Sequence, residues 1–194
     1  MKEIAIAAAK EAGKILMDNF GKVESVDIKD FRELVSNVDV TTENKIIEVI
    51  KSEYPEHGIL CEESEEQVTD SEYKWIIDPL DGTHNYIYGM PAFGTSIALE
   101  HNDEVVLGVL NIPYEDELYL AEKGRGAYLN GESVIVSRRP MQEALVLFDS
   151  RLDESHGAKA GKIEFLSVLV EEVFGLRMTG SSVRNLSLVA SGRA

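Results

Sequence analysis

The spacing of the apolar residues changes twice along the chain, and this change restricts the possible folds more than any other feature. Apolar side chains recur at helical spacing in residues 2–19 and 39–54, and again in 159–173 and 182–190. From residue 57 to 148 they form short runs between turn-forming residues, a pattern typical of strands. We therefore predict an α/β fold with α+β layering, in which helices flank a block of mainly antiparallel strands.

Local signals set the predicted ends of these elements. Gly21 follows the first helix as a stop signal. Thr41 or Thr42 lies near the start of the second helix, and Pro55 ends it. The strands are expected at residues 23–28, 57–61, 75–77, 93–99, 105–112, 117–121, 127–129, 134–136 and 144–148.

The chain is strongly acidic, with 19 Lys and Arg residues against 35 Asp and Glu residues and a formal net charge of −16. Such a surface repels nucleic-acid backbones and anionic lipids, so we expect no nucleic-acid partner and no membrane partner. If the protein handles anions, it needs a local device such as a metal ion or a helix N-terminus.

Cysteine usage and the lack of a long apolar run favour a cytoplasmic protein. Cys61 is the single cysteine, so it has no partner for an intramolecular disulfide. The apolar residues 4–9 are followed at once by Lys10 and Glu11, too early for a secretory signal. No apolar run approaches the length of a membrane span.

Residues 75–83, which read Trp-Ile-Ile-Asp-Pro-Leu-Asp-Gly-Thr, form the most informative segment. Its apolar start predicts a buried strand that ends at Asp78, because Pro79 holds the residue before it in extended backbone. The glycine after Asp81 permits an unusual φ or a close approach of backbone to a ligand, and Thr83 can open a short helix. Two carboxylates are thereby expected on one rigid turn beside the free amides of a helix start.

This arrangement suits Mg²⁺ and phosphate. Mg²⁺ prefers six oxygen ligands in octahedral geometry and takes only a few of them from protein carboxylates. Asp78 and Asp81 can hold adjacent ions or share one, the Leu80 carbonyl can add an oxygen, and the helix-start amides can hold a phosphate. The same composition also occurs in ordinary turns, so this segment alone leaves both interpretations open.

A second acidic segment lies upstream. Glu62 and Glu63 follow the predicted strand at 57–61, and a carboxylate at this strand end would complete a cluster with Asp78 and Asp81. An acidic run such as residues 62–66 is also commonly a solvated loop. The residues alone do not decide between these two interpretations.

Together these motifs resemble the signature of the inositol monophosphatase family. The likeness lies in residues 62–64, 75–86, 91–99, 124–131, 180–182 and 189–193. It covers essentially the whole chain, and its first two motifs are specific. The resemblance implies the layered sugar-phosphatase fold, a phosphomonoesterase activity that depends on two or three Mg²⁺ ions, and a homodimer.

The resemblance also implies roles for the matching residues. The implied metal ligands are Glu62, Asp78, Asp81 and the carbonyl oxygen of Leu80. The implied catalytic residues are Glu62, Thr83 and Asp39, of which Thr83 and Asp39 would orient the attacking water. The implied substrate-binding residues are Asp81, Gly82, Thr83, Gly180, Ser181 and Ser182.

Some residues fall outside the pattern. Cys61 stands where the family commonly has glycine, and we expect it to serve packing. His84 follows the motif directly, and a surface histidine is the favoured interpretation over one that reaches the phosphate. His57, His101 and His156 lie in polar or turn contexts without metal-ligand spacing.

The likeness stops short of the family's full pattern. The family has a further metal-ligating Asp, in a Trp-Asp motif, beyond the Gly-Arg that precedes Ala194. We therefore expect residues 1–140 to form an N-terminal α+β region and residues 141–194 to begin a C-terminal α/β region whose remainder is missing.

Three functions stay open at this point. The first is a phosphatase of inositol 1-phosphate or a similar small sugar or polyol phosphate. The second is the same chemistry on fructose 1,6-bisphosphate or a 3′-phosphonucleotide. The third is an inactive fragment that binds metal and phosphate but lacks the C-terminal ligand, whose loss from a metal site would weaken binding.

Overall fold

The computed structural model describes residues 1–30, 33–148 and 158–194, except for the side chains of residues 29, 30, 33 and 158–163. The helices are α1 (Lys2–Asn19), α2 (Asn37–Glu53), α3 (Thr83–Ile87), α4 (Ala158–Glu172) and α5 (Ser182–Ala190). The strands are β1 (Val26–Asp30), β2 (Glu33–Ser36), β3 (Gly58–Cys61), β4 (Tyr73–Asp81), β5 (Gly94–His101), β6 (Glu104–Ile112), β7 (Glu117–Glu122), β8 (Gly126–Leu129), β9 (Glu132–Val134), β10 (Leu145–Leu147) and β11 (Gly175–Arg177).

A seven-stranded sheet in the order β3-β4-β5-β6-β7-β8-β9 forms the centre of the molecule. Its neighbouring strands are antiparallel, as predicted, except that β3 and β4 run parallel. Two separate pairs complete the strand set: β1 with β2, which is antiparallel, and β10 with β11, which is parallel. The predicted layered α/β arrangement is confirmed.

The two faces of the sheet pack against different helices. Successive side chains of a strand point to opposite faces. On β6, Val109 belongs to the core that contains α1, and the Asn111 side-chain amide donates to the Ala9 carbonyl at 2.8 Å. Ile112 instead packs with Val183 of α5. Helices α1 and α2 therefore cover one face, and α5 lies against the other.

Close packing of α1 on the sheet follows from its alanines. Ala5, Ala8, Ala9 and Ala12 are fully buried, and their small side chains let the helix axis approach the strands. Trp75 fills the core beneath the helices, and its indole N–H donates to His57 Nδ1 at 3.1 Å.

Several predicted boundaries need correction. Helix α2 begins at Asn37, capped by Ser36 rather than by Thr41 or Thr42, because the Ser36 hydroxyl accepts the Val38 N–H. Strand β1 starts at Val26 rather than at residue 23. The strand predicted to end at Asp78 continues to Asp81, since β4 resumes its pairing with β5 there after an irregular step.

One strand prediction was wrong and two strands were not predicted, for a non-local reason in each case. The apolar run 134–136 was expected to be a strand, but β9 ends at Val134 and Ile135 is 76% exposed. Strands β2 and β11 were not predicted, because each is only a few residues long and is defined by a partner strand. Helices α1 and α5 have the predicted bounds.

Within the described part of the chain, no helix combines the length and the apolar composition that crossing a bilayer requires.

Candidate active site

The parallel pairing of β3 and β4 brings two of the predicted metal ligands together. Cys61, the last residue of β3, is in register with Ile77 of β4. The next residues along the chain are Glu62, directly after β3, and Asp78, within β4, so the register places them next to each other. The Glu62–Asp78 part of the expected cluster thus results from a register that the sequence alone does not show.

Asp78 lies in an unfavourable environment for a carboxylate. It is hydrogen-bonded to Glu62, and its Oδ1 is buried without a hydrogen-bond partner among the described residues. Burial, and then the negative charges of Glu62 and Asp81, raise the pKa of Asp78 from an ordinary 3.8 to about 8. The site therefore favours a proton or a cation at Asp78.

The turn after Asp78 is held in an unusual conformation by a glycine. Gly82 has φ +88° and ψ +34°, in the left-handed region, and a Cβ there would lie 2.7 Å from the Ala92 carbonyl oxygen. Both the dihedrals and the close approach require glycine. Helix α3 begins at the next residue, so its first amides point away from the helix without intrahelical partners.

Thr83 connects this turn to α2. Its hydroxyl lies 3.1 Å from Asp39 Oδ1 and 2.9 Å from the Leu80 carbonyl oxygen, and its single proton can serve one of them at a time. Asp39 is 1% exposed, and its Oδ2 accepts the Ser36 N–H at 2.9 Å. Burial raises the pKa of Asp39, although hydrogen bonds from Ser36 and Thr83 oppose that shift. The structure thus brings Asp39, Thr83 and Leu80 together.

Asp81 points towards α5. Its Oδ2 accepts the Ser181 hydroxyl and the Val183 backbone N–H, the latter at 2.9 Å. The carboxylate therefore sits at the start of a nine-residue helix, where the helix dipole favours negative charge. The predicted substrate-binding segment 180–182 lies next to the metal-site turn, since the position of a Gly82 Cβ would be 3.2 Å from Ser181 Cβ.

These residues fit a cation at the Glu62–Asp78 pair. The buried Asp78 Oδ1 lacks a partner among the described residues, and carboxylate and carbonyl oxygens are the ligands that Mg²⁺ prefers. The side chains are not gathered into a complete cage: among described residues, no three Asp, Glu, His or Cys side chains form a metal-ligating group. Asp81 is turned towards Ser181 and Val183 instead.

Three supporting residues were missed from the sequence. Ser36 forms a reciprocal capping box with Asp39, and the Ser-x-x-Asp spacing at the start of α2 was the available signal. Glu43 is 3% exposed and accepts the Glu63 N–H. The Asn85 amide donates to the Ala92 and Thr179 carbonyls at 2.6 and 2.8 Å, which ties the segment before α5 to α3.

The cysteine and the histidines named from the sequence lie in different environments. Cys61 packs in the core, as predicted, and burial raises its pKa to about 12, so the thiol stays protonated. His84 is exposed. His57 lies in a turn context, as predicted, at the bend after α2, but its side chain is 3% exposed and stacks on Tyr54 and Tyr73. His156 lies outside the described residues.

Comparison with known proteins identifies the family of the chain. The family model described as the inositol monophosphatase family matches residues 1–194. Fructose-1,6-bisphosphatase/inositol-1-monophosphatase of Aquifex aeolicus is 39% identical over 197 residues, covering 98% of this chain and 73% of the relative. Nus factor SuhB of Haemophilus influenzae is 36% identical, covering 100% of this chain and 73% of the relative.

Solved structures show the same likeness. The crystal structure of the extragenic suppressor protein suhB from Bartonella henselae superposes with a TM-score of 0.93 at 36% identity, covering 99% of this chain and 75% of that one. The matched family and the Aquifex relative both belong to the class of phosphoester-hydrolysing proteins. This chain belongs to the inositol monophosphatase family, a family of phosphoric monoester hydrolases.

Proposed function

We propose that this protein is a Mg²⁺-dependent phosphomonoesterase that hydrolyses inositol 1-phosphate or a similar small sugar or polyol phosphate. The observation that carries the proposal is the buried Asp78 Oδ1, which has no partner among the described residues and lies on a carboxyl hydrogen-bonded to Glu62. The name of the Aquifex relative supports the sugar-phosphate substrate class.

The proposed ligands of the cation are Glu62, Asp78, the Leu80 carbonyl oxygen and the carboxylate of Asp81, whose Oδ2 also accepts the Ser181 hydroxyl and the Val183 N–H. The Leu80 oxygen already accepts the Thr83 hydroxyl, and a carbonyl has a second lone pair available. When bound, Mg²⁺ supplies charge neutralisation of the phosphate, activation of water and stabilisation of the leaving oxygen. On a chain with a net charge of −16, this local positive charge is what admits an anionic substrate.

Thr83 and Asp39 are the proposed groups that orient the attacking water. When the Thr83 hydroxyl donates to Asp39 Oδ1, its own oxygen is left to accept a hydrogen bond from water. The water oxygen forms a new bond to phosphorus, and the bond between phosphorus and the ester oxygen breaks. The alcohol leaves with one proton of the water, and inorganic phosphate is the second product.

Backbone amides are the proposed phosphate ligands of the protein itself. The N–H groups of Gly82 and Thr83 lie at the left-handed turn that opens α3. Amides in this position carry partial positive charge and accommodate phosphate oxygens. Because a Gly82 side chain would collide with the Ala92 carbonyl oxygen, only glycine allows the close packing and the left-handed conformation of this turn.

The substrate is tested by measuring phosphate release from inositol 1-phosphate, fructose 1,6-bisphosphate and 3′-phosphoadenosine 5′-phosphate, each with Mg²⁺ and with a chelator. The proposal expects Mg²⁺-dependent release that is fastest with inositol 1-phosphate. Faster release from either of the other two would replace the substrate and keep the chemistry. No release from any of them, with Mg²⁺ binding retained, would establish the alternative of an inactive metal-binding protein.

A further inference from the structure

Helix α2 directs two buried carboxylates at the candidate site. Asp39 and Glu43 are four residues apart, so they lie one above the other on the same face of the helix. They are 1% and 3% exposed. Asp39 reaches Thr83 on the turn after β4, whereas Glu43 reaches the segment after β3: its Oε2 accepts the backbone N–H of Glu63 at 2.9 Å.

The position of Glu63 determines where Glu62 can point. Glu63 follows Glu62 directly, at the place where the chain leaves β3. The side chain of Glu62 is exposed, so burial contributes little to holding it in place. The hydrogen bond between the Glu63 N–H and Glu43 fixes the backbone directly after Glu62. The β3–β4 register fixes the backbone directly before it, at Cys61.

A carboxylate is a costly residue at a buried helix position, where an apolar side chain would pack without desolvation loss. Its hydrogen bond to an amide is charge-assisted and therefore stronger than a bond to a neutral acceptor. Glu43 thus provides a firm anchor for a short loop that has few other buried groups, since residues 64–70 are all exposed.

We propose that Glu43 is a positioning residue for the cation site: by holding the Glu63 N–H, it keeps Glu62 beside Asp78. The inference rests on the proposed function, because it assigns Glu43 to the same Glu62–Asp78 site. Glu43 acts through the backbone and makes no contact with cation or substrate. The acceptor oxygen is the essential feature, and its negative charge strengthens the bond.

The test compares Glu43→Gln, which keeps an acceptor oxygen, with Glu43→Leu and Glu43→Ala, which remove it. Glu48→Leu is the matched control, since Glu48 lies on the exposed side of the same helix and pairs there with Lys45. Two properties are measured on each full-length variant. Hydrogen exchange of the Glu63 amide reports the bond without any metal, and Tb³⁺ luminescence sensitised by Trp75 reports cation affinity.

We expect Glu43→Leu and Glu43→Ala to expose the Glu63 amide to exchange and to weaken Tb³⁺ binding by roughly 10- to 100-fold, the range for residues that orient metal ligands. Glu43→Gln is expected to stay within roughly fivefold of the wild type in both measurements, because a neutral acceptor replaces a charged one. The Glu48→Leu control should match the wild type. Thermal melts identify any variant that is unfolded, and either of the two truncating variants suffices for the comparison.

The outcomes separate this inference from the proposed function. If both truncating variants bind Tb³⁺ as tightly as the wild type, the positioning role of Glu43 is wrong, and the proposed cation site is unaffected. Loss of binding in Glu43→Gln as severe as in Glu43→Leu would overturn the claim that the acceptor oxygen is what matters. Absence of Tb³⁺ binding in the wild type would overturn the cation site itself, and the inference with it.

Discussion

At the scale of single residues, Asp78 determines the electrostatics of the site. It combines a buried oxygen, which has no partner in the described part of the chain, with two neighbouring carboxylates. A group like this lowers the stability of the metal-free protein, and natural proteins keep such groups where function needs them. The stability that the metal-free protein loses through the charge of Asp78 is therefore an expected cost of the proposed cation site.

The first prediction is that Asp78→Asn stabilises the metal-free protein at pH 8. The unfolded chain loses the Asp78 proton near pH 3.8, whereas the folded chain holds it up to about pH 8. Between these values the folded state binds more protons, so the contribution of Asp78 to stability falls as pH rises. Asparagine does not titrate, and the gain at pH 8 should be about 1–3 kcal/mol.

Urea denaturation of both proteins in chelator, at pH 5 and at pH 8, provides the measurement. The stability difference between variant and wild type should grow with pH. A difference that is the same at both pH values would show that Asp78 titrates normally in the folded protein.

The second prediction concerns the Thr83 hydroxyl. Thr83→Val keeps the shape of the side chain and removes the group that joins Asp39 to the turn. Orientation of a proton-transferring water contributes on the order of 100-fold or more to rate, so kcat for inositol 1-phosphate should fall by about that factor with a small change in KM. Thr83→Ser should recover most of the rate, and equal rates for the Val and Ser variants would contradict the role of the hydroxyl.

At the scale of elements, helix α5 is held at both ends. Its start carries the bonds from Ser181 and Val183 to Asp81. Just beyond its end, the Arg193 guanidinium binds Glu117 of β7 through two nitrogens at 2.8 and 2.7 Å. Arg184 adds a longer contact to the same carboxylate. An ion pair at one end of the helix thereby supports a site residue at the other.

The third prediction is that Glu117→Gln destabilises the protein at neutral pH by about 1 kcal/mol, a value reduced for the partial exposure of Arg193. Burial alone would raise the pKa of Glu117, but hydrogen bonds from Arg193 and Tyr119 outweigh it and lower the pKa below an ordinary 4.5. A depressed folded pKa gives stability that is present above the unfolded pKa and is lost as pH falls below it.

Denaturation of the wild type and Glu117→Gln at pH 7 and at pH 3.5 checks this prediction. The stability difference should shrink at the lower pH, because the unfolded wild type takes up the Glu117 proton more readily than the folded one. An unchanged difference would mean that the carboxylate contributes through packing instead of charge.

Elements defined by local pattern could be predicted, and elements defined by distant partners could not. The helical spacing of the apolar residues of α1 and α5 is visible in the sequence, and both helices have the predicted bounds. The end of β9 depends on pairing with β8, so the apolar Ile135 was wrongly included. The short β11 pairs with β10 across about thirty residues, which periodicity does not report.

The same distinction applies to the site. Asp78, Asp81, Gly82 and Thr83 could be selected because one short segment contains them. The proximity of Glu62 to Asp78 depends on the parallel register of β3 and β4. Glu43 gave no signal, since a glutamate on a helix is ordinarily solvated. The roles assigned to these residues, and the predicted homodimer, stay predictions.

At the scale of the whole molecule, the fold brings four distant segments to one place. Helix α2 supplies Asp39, the end of β3 supplies Glu62, the end of β4 supplies Asp78 and Asp81, and the start of α5 holds Asp81 from the other side. The chain spans 73–75% of the length of the relatives with which it was compared. Phosphatase activity of this chain itself is the property on which the proposed function depends.

The most direct test of the account measures phosphate release from inositol 1-phosphate as a function of Mg²⁺ concentration. It compares the wild type with Asp78→Asn and with Glu65→Gln, an exposed control in the same acidic loop as Glu62. The account predicts saturable Mg²⁺ dependence in the wild type and the control, and a loss of at least about 100-fold in Asp78→Asn. Release that is independent of Mg²⁺, or equal in Asp78→Asn and the control, would contradict it.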